Sequence, residues 1–165
     1  MERFNGKKIL YTSDFNTIPT RLCRAAKIPR KKYDAIIIES TYAMHEHPNR
    51  RELEENFIQD IKRTINEGGK VLIPAFAVGR SQEMLSILNA QKFRGYTLLD
   101  GMARAVNRVF LDIPDSVKTP QTYSRAASKI HLIRGWRDRR QAIKKAKVII
   151  APSGMLQGGT AMFYM

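Results

Sequence analysis

Carboxylates, hydroxyls and arginines stand at the ends of this chain's apolar runs. The sharpest case is residues 34–42, Asp-Ala-Ile-Ile-Ile-Glu-Ser-Thr-Tyr, where an unbroken apolar run stops at Glu39. A run without alternation suits a strand buried on both faces, as a parallel sheet between helices requires. Glu39 would then sit where the strand leaves the sheet, the edge on which open parallel sheets bind ligands. The competing reading makes it a helix-start acid or a solvated loop residue. Similar endings recur at Thr12-Ser13-Asp14, at Pro74 leading to Gly79-Arg80, at Asp100-Gly101, at Arg134-Gly135 and at Pro152-Ser153-Gly154. In a parallel sheet these lie on one edge, and Gly79, Gly101 and Gly158-Gly159 leave backbone N–H groups there for an anion. A purely structural domain has no need to collect such groups on one rim.

The elements that must position this rim alternate. Apolar runs at 9–13, 35–40, 71–75, 96–100, 130–133 and 148–151 are separated for the most part by helical patterns. The clearest helix spans 49–67, with Asn49 as N-cap, Glu52 three residues on and Gly68-Gly69 as the stop. Leu53, Phe57, Ile61 and Ile65 recur every four residues and predict its buried face. Further helices are expected at 80–90 (Met84, Leu85 and Leu88 inward), 102–111 (Val106, Val109 and Phe110 inward) and 137–145, while 114–128 reads as irregular. Strand and helix alternating at these lengths predict an α/β fold, a mainly parallel sheet flanked by helices.

Composition narrows the partner. The 165 residues are 43% hydrophobic and 27% charged, which suits a globular chain with a real core. No run approaches the ~18 apolar residues of a membrane span. The first residues lack an apolar secretory segment, so a cytoplasmic setting and no membrane partner are expected. The single Cys23 excludes an internal disulfide and a cysteine-built zinc site, and reads as a small buried hydrophobe. Lys and Arg number 29 against 15 acids, a net charge of +14. Such an excess favours a polyanion, because each phosphate neutralised releases counterions. Tyr11, Phe15, Tyr42, Phe76 and Trp136 offer faces for bases to stack on, and Trp136 stands among Arg134, Arg137 and Arg139. The competing reading packs Trp136 against the sheet.

Several segments in order along the chain carry a family resemblance. They are Tyr11-Thr12-Ser13-Asp14-Phe15-Asn16, Glu39-Ser40-Thr41-Tyr42, Pro74-Ala75-Phe76-Ala77-Val78-Gly79-Arg80-Ser81-Gln82-Glu83, Asp100-Gly101-Met102-Ala103 and Ser153-Gly154-Met155-Leu156-Gln157-Gly158-Gly159. Together they resemble the metallo-β-lactamase-fold ribonucleases carrying a β-CASP domain, of the cleavage and polyadenylation specificity factor type. The resemblance implies a lactamase remnant over 1–44 and a β-CASP domain over 45–165, incomplete at its C-terminus. It implies that Asp14 is the aspartate that bridges two zinc ions, and that Glu39 orients a later histidine, the proton donor to the leaving oxygen. It sets Arg80 along the RNA path and Ser153 and Gly154 on the phosphate side.

The family's H-x-H-x-D-H zinc motif is missing. His45 and His47 form H-x-H, but Pro48 follows and no Asp-His pair comes next, so they read as a loop before a helix cap. His131 reads as a packed or hydrogen-bonded residue. The expectation is therefore the RNA-binding, substrate-positioning part of a zinc-dependent RNA phosphodiesterase. Zinc belongs to the full-length protein, and none is expected on this chain alone, which should be inactive. Single-stranded RNA is the expected partner, with Arg80, Trp136, Arg137, Ser153 and Gly154 as contacts. The alternative is a non-catalytic β-CASP scaffold of an RNA-processing complex. A nucleotide-binding loop at 153–159 ranks below both, having neither G-x-G-x-x-G nor a P-loop pattern. The apolar tail 159–165 reads as part of a helix, and it or an uncovered sheet edge would pair with a second copy.

Overall fold

The computed structural model describes residues 2–4, 6–153 and 155–165. The chain forms two compact units, one of residues 1–20 with 24–48 and one of residues 21–23 with 49–165.

The first unit is a three-stranded sheet. β1 (Glu2–Phe4) runs antiparallel to β2 (Lys7–Tyr11), and β2 runs parallel to β3 (Ala35–Ile37). Tyr11 faces Ile37 in the register, and the Thr12 amide donates to the Ile37 carbonyl at 3.1 Å. Here the expectation of a doubly buried strand fails. Ile36, Ile37 and Ile38 are 57%, 56% and 59% exposed. This unit contains no helix among its described residues, so its sheet has no layer to bury those isoleucines against.

The second unit is the α/β layer structure. Its strands β4 (Val71–Pro74), β5 (Thr97–Leu99), β6 (His131–Leu132) and β7 (Val148–Ala151) are all parallel, in the order β4-β7-β5-β6. Successive side chains point to opposite faces, and the core divides accordingly. Ile73, Leu99, Val148 and Ile150 pack with Ile58, Ile61, Leu85 and Leu88 on one face. Leu72, Leu98, Ile149 and Ala151 pack with Ile133, Ala142 and Ala161 on the other. The first face is covered by α1 (Arg50–Asn66) and α2 (Arg80–Ala90), and the second by α5 (Trp136–Lys145) and the 3-10 turn Thr160–Tyr164. The connection from β6 back to β7 reverses direction along the sheet, and right-handed crossover then requires its helix on the opposite face. α3 (Ala103–Asp112) and α4 (Pro120–Ala127) lie between β5 and β6.

Asn49 caps α1 as expected, its side chain accepting from the Arg51 and Glu52 amides at 2.9 and 3.4 Å. Of the face expected for α1, Ile61 is buried and Phe57 and Ile65 pack against the core, but Leu53 is 51% exposed, and Glu54 and Ile58 are buried alongside Ile61. Glu54 goes inside because it has partners: Arg21 and Arg50 donate to it at 2.9 and 3.0 Å. Glu83 is also buried. It accepts the backbone amides of Arg21 and Leu22 at 2.9 and 2.7 Å and pairs with Arg50. These bonds hold residues 21–23 within the second unit, and Cys23 beside them is exposed rather than buried.

Other departures are local. In α3, Val109 is 53% exposed while Ala103 and Asn107 are buried. Asn107 is tolerated inside because the Tyr123 hydroxyl donates to its side chain at 2.5 Å. The stretch 114–128, expected to be irregular, holds a 3-10 turn at Pro114–Ser116 and all of α4, which Pro120 opens at a first-turn position where its missing N–H costs nothing. The tail forms a 3-10 turn rather than an α-helix.

Candidate functional site

In the first unit, Asp14 and Glu39 follow the carboxyl ends of adjacent parallel strands and so share one sheet edge. Ser13 before Asp14 has φ +52°, a left-handed turn just past the strand end. Asp14 is exposed. Glu39 is half-buried and accepts the Thr41 amide at 2.9 Å, so its carboxylate is fixed by its own loop. Nearby in sequence, the Tyr42 and His47 rings lie 4.7 Å apart. Among the described residues, no three His, Cys, Asp or Glu side chains gather as a metal ion would require. The donor set of this chain therefore does not fit a zinc pair, and no chemical step is derived through one.

In the second unit the carboxyl edge carries, in spatial order, the ends of β4, β7, β5 and β6. Beyond β4, Gly79 (φ +77°) opens α2 and Arg80 stands exposed at its first position. No ion pair binds Arg80 to a described carboxylate. Beyond β7, Ser153 is half-buried, and its carbonyl accepts the Leu156 amide at 3.3 Å. Gly154 lies outside the described residues. Gln82 links the loops beyond β4 and β5, its Nε2 donating to the Ala77 and Ala103 carbonyls at 3.1 and 3.2 Å.

Asp100, beyond β5, was expected among the rim's open groups and is not available. It is fully buried. Arg139 donates to both its oxygens at 2.5 and 3.1 Å, the Tyr164 hydroxyl donates at 2.6 Å and the Gly101 amide at 2.6 Å. Burial pulls this carboxyl upward, but the Arg139, Tyr164 and Gly101 bonds outweigh it and hold it below the ordinary carboxylate range. Burial, reinforced by Asp100, pushes the Tyr164 phenol well above its usual range. Asp100 thus locks α5 and the C-terminal turn onto the strand end.

Beyond β6, that lock shapes an aromatic and cationic surface. Trp136, the first residue of α5, is 51% exposed. Its ring meets Phe163 edge-on at 4.9 Å, and the guanidinium groups of Arg140 and Arg139 lie 5.2 and 5.9 Å from its centroid. Arg137 is exposed beside it. Trp136 is neither buried against the sheet nor free of contacts. It forms an open ring whose surroundings are held by Arg139 and Asp100. The start of α5 is set by Asp138, which accepts the Arg134 amide at 2.7 Å and His131 at 2.8 Å. The Arg134 amide, with His131 adding to it, keeps Asp138 below its ordinary value. His131 is hydrogen-bonded as expected, and its ring stacks on Tyr96 at 5.7 Å. Sequence reasoning set Arg139 beside Trp136 without its bond to Asp100, and gave no role to Gln82 or Arg140. The available signal for the two arginines was their spacing three and four residues from Trp136, which puts them on one helix face.

The parallel sheet with its cation-bearing carboxyl edge defines an α/β protein suited to anionic ligands. No protein-family model matches the chain. RNase aCSPSF2 of Saccharolobus solfataricus is 36% identical over 157 residues, covering 94% of this chain and 32% of its own length. Probable RNase MJ4 of Methanocaldococcus jannaschii is 37% identical over 167 residues, covering 98% of this chain and 39% of its own. Cleavage and polyadenylation specificity factor 73 of Drosophila melanogaster is 45% identical over 84 residues, 51% of this chain and 12% of its own. The chain belongs to the metallo-β-lactamase/β-CASP family of RNA-processing nucleases. It spans between about a third and two fifths of the length of the two archaeal relatives. No helix among the described residues is long and apolar enough to cross a membrane.

Proposed function

We propose that this chain is the RNA-binding, substrate-positioning part of a zinc-dependent RNA phosphodiesterase. The observation that carries this reading is the second unit's carboxyl edge, where exposed Arg80 and the Trp136–Arg140 surface stand on strand ends of one parallel sheet. Arg80 and Arg137 meet phosphates of single-stranded RNA, Trp136 stacks on a base, and Ser153 and Gly154 border the strand's path. Asp14 offers one carboxylate to a metal set whose other ligands come from outside this chain, and Glu39 stands on the same edge to orient a proton-transferring group. The relatives named as ribonucleases support this assignment.

Fluorescence titration of Trp136, the single tryptophan, with a single-stranded oligoribonucleotide tests it. A saturable change that weakens steeply as salt rises is expected, and Arg137→Ala and Arg80→Ala should each weaken it. A signal unmoved by RNA at low salt would sink the reading. The chain alone should cleave nothing. Zinc-dependent cleavage lost in Asp14→Ala would overturn that half while leaving RNA binding in place. The exposed isoleucines at 36–38 support self-association through the β3 edge, and a monomer by light scattering at high concentration would remove that expectation.

A further inference from the structure

The sheet's other edge carries a cavity of about 480 Å³, lined where β5 and β6 begin and where α2 and α4 end. Its size lies within the ~300–1,000 Å³ of small-molecule sites. Leu88, Phe93 and Ile130 give it an apolar floor, and Lys92, Arg94 and Lys129 stand among its lining residues. No carboxylate is among the described residues that line it. Three cations around one cavity without an acid repel one another, and an anion relieves that repulsion.

The local backbone is built to place these groups. α2 closes with the Phe93 amide on the Leu88 carbonyl at 2.9 Å and the Lys92 amide on the Asn89 carbonyl at 3.1 Å. This pattern puts the residue after the cap in the left-handed region, where glycine is the usual choice. Here that residue is Lys92, at φ +55°. Lys129 is held in place by Asn89, whose Oδ1 accepts from its Nζ at 2.7 Å. Gly95 lets the Phe93 ring fold back over the chain, since a Cβ there would lie 2.3 Å from the ring.

We propose that this cavity binds a small anion with a flat apolar body, of the nucleoside monophosphate class. A bare anion would leave the Leu88–Phe93–Ile130 floor wet, and a neutral aromatic would leave the cations unanswered. Only a ligand carrying both parts uses both. The site lies on the opposite sheet edge from the proposed RNA contacts, so the two stand or fall separately.

Isothermal titration of the whole chain at about 0.15 M salt, where exposed charges are screened, tests the proposal with 5′-AMP, adenosine and inorganic phosphate as separate probes. One saturable 5′-AMP site is expected, with adenosine and phosphate each at least about tenfold weaker. Lys129→Glu should weaken 5′-AMP at least about tenfold, and Arg80→Ala, which keeps the tryptophan, should retain it while weakening the RNA-induced fluorescence change. A second variant, the Lys92→Ala/Arg94→Ala pair, guards against misfolding of the first, and circular dichroism checks both. The proposal is overturned by phosphate binding as tightly as 5′-AMP, by adenosine doing so, by loss of 5′-AMP binding in Arg80→Ala, or by no 5′-AMP binding at millimolar concentration.

Discussion

Two strands of this protein share their chemistry and differ in their surroundings. β3, in a run of three isoleucines, is exposed along its whole length, whereas β7, Val-Ile-Ile-Ala, is buried at every position. β7 lies between β4 and β5, with helices packed on both faces of the sheet. β3 lies at the edge of a sheet whose unit has no helix among its described residues. An unbroken apolar run therefore specifies a strand that can be buried twice over, and the neighbouring layers decide whether it is. The aspartates that follow the neighbouring strands β5 and β2 show the same contrast. Asp100 is enclosed and fully bonded, while Asp14 is exposed and open to a ligand.

The contrast is most directly challenged by matched truncations. Ile150→Ala, in the middle of β7, should cost about 2–5 kcal/mol in chemical denaturation, the range for a buried isoleucine. Ile37→Ala in β3 should cost well under that, about 1 kcal/mol or less, because little area leaves water there. Equal losses would show that β3 is covered in solution.

Asp100→Asn tests the other half. It strands Arg139 beside a buried neutral amide, a change worth about 3 kcal/mol or more. The native carboxyl also titrates below its unfolded value, so it stabilises the fold fully above the ordinary aspartate range. That contribution is lost as pH falls through its depressed folded value. The wild type should thus lose stability on acidification below about pH 4, and Asp100→Asn should show a shallower acid slope. Thermal melts across that range measure it, and an unchanged slope would remove Asp100 from its place as the lock. Asn49→Ala, which loses the α1 cap, should cost about 1 kcal/mol. The smallest expected effect is that of Asp14→Ala, whose exposed side chain should change stability by less than about 0.5 kcal/mol.

Much of the architecture was legible. The helix at Arg80–Ala90 falls where its pattern puts it, and Asn49 caps α1 as its side chain dictates. The apolar runs at 71–75, 96–100 and 148–151 became parallel strands of the second unit. What escaped was set by partners distant in sequence. Glu54 is buried where Leu53 was expected because Arg21 bonds to it, and no helical periodicity records a contact across 33 residues. Asp100 read as a rim group because Arg139 and Tyr164, 39 and 64 residues away, are invisible from its own neighbours.

The sequence by itself determined the charge, the order of strands and helices, and which residues end each strand, because these depend on local propensity and on side-chain periods. Tertiary structure alone decided which of those endings stay open. Arg80 and Trp136 remain on the surface while Asp100 is consumed by an ion pair, since a buried charge persists only where a partner from elsewhere in the chain reaches it.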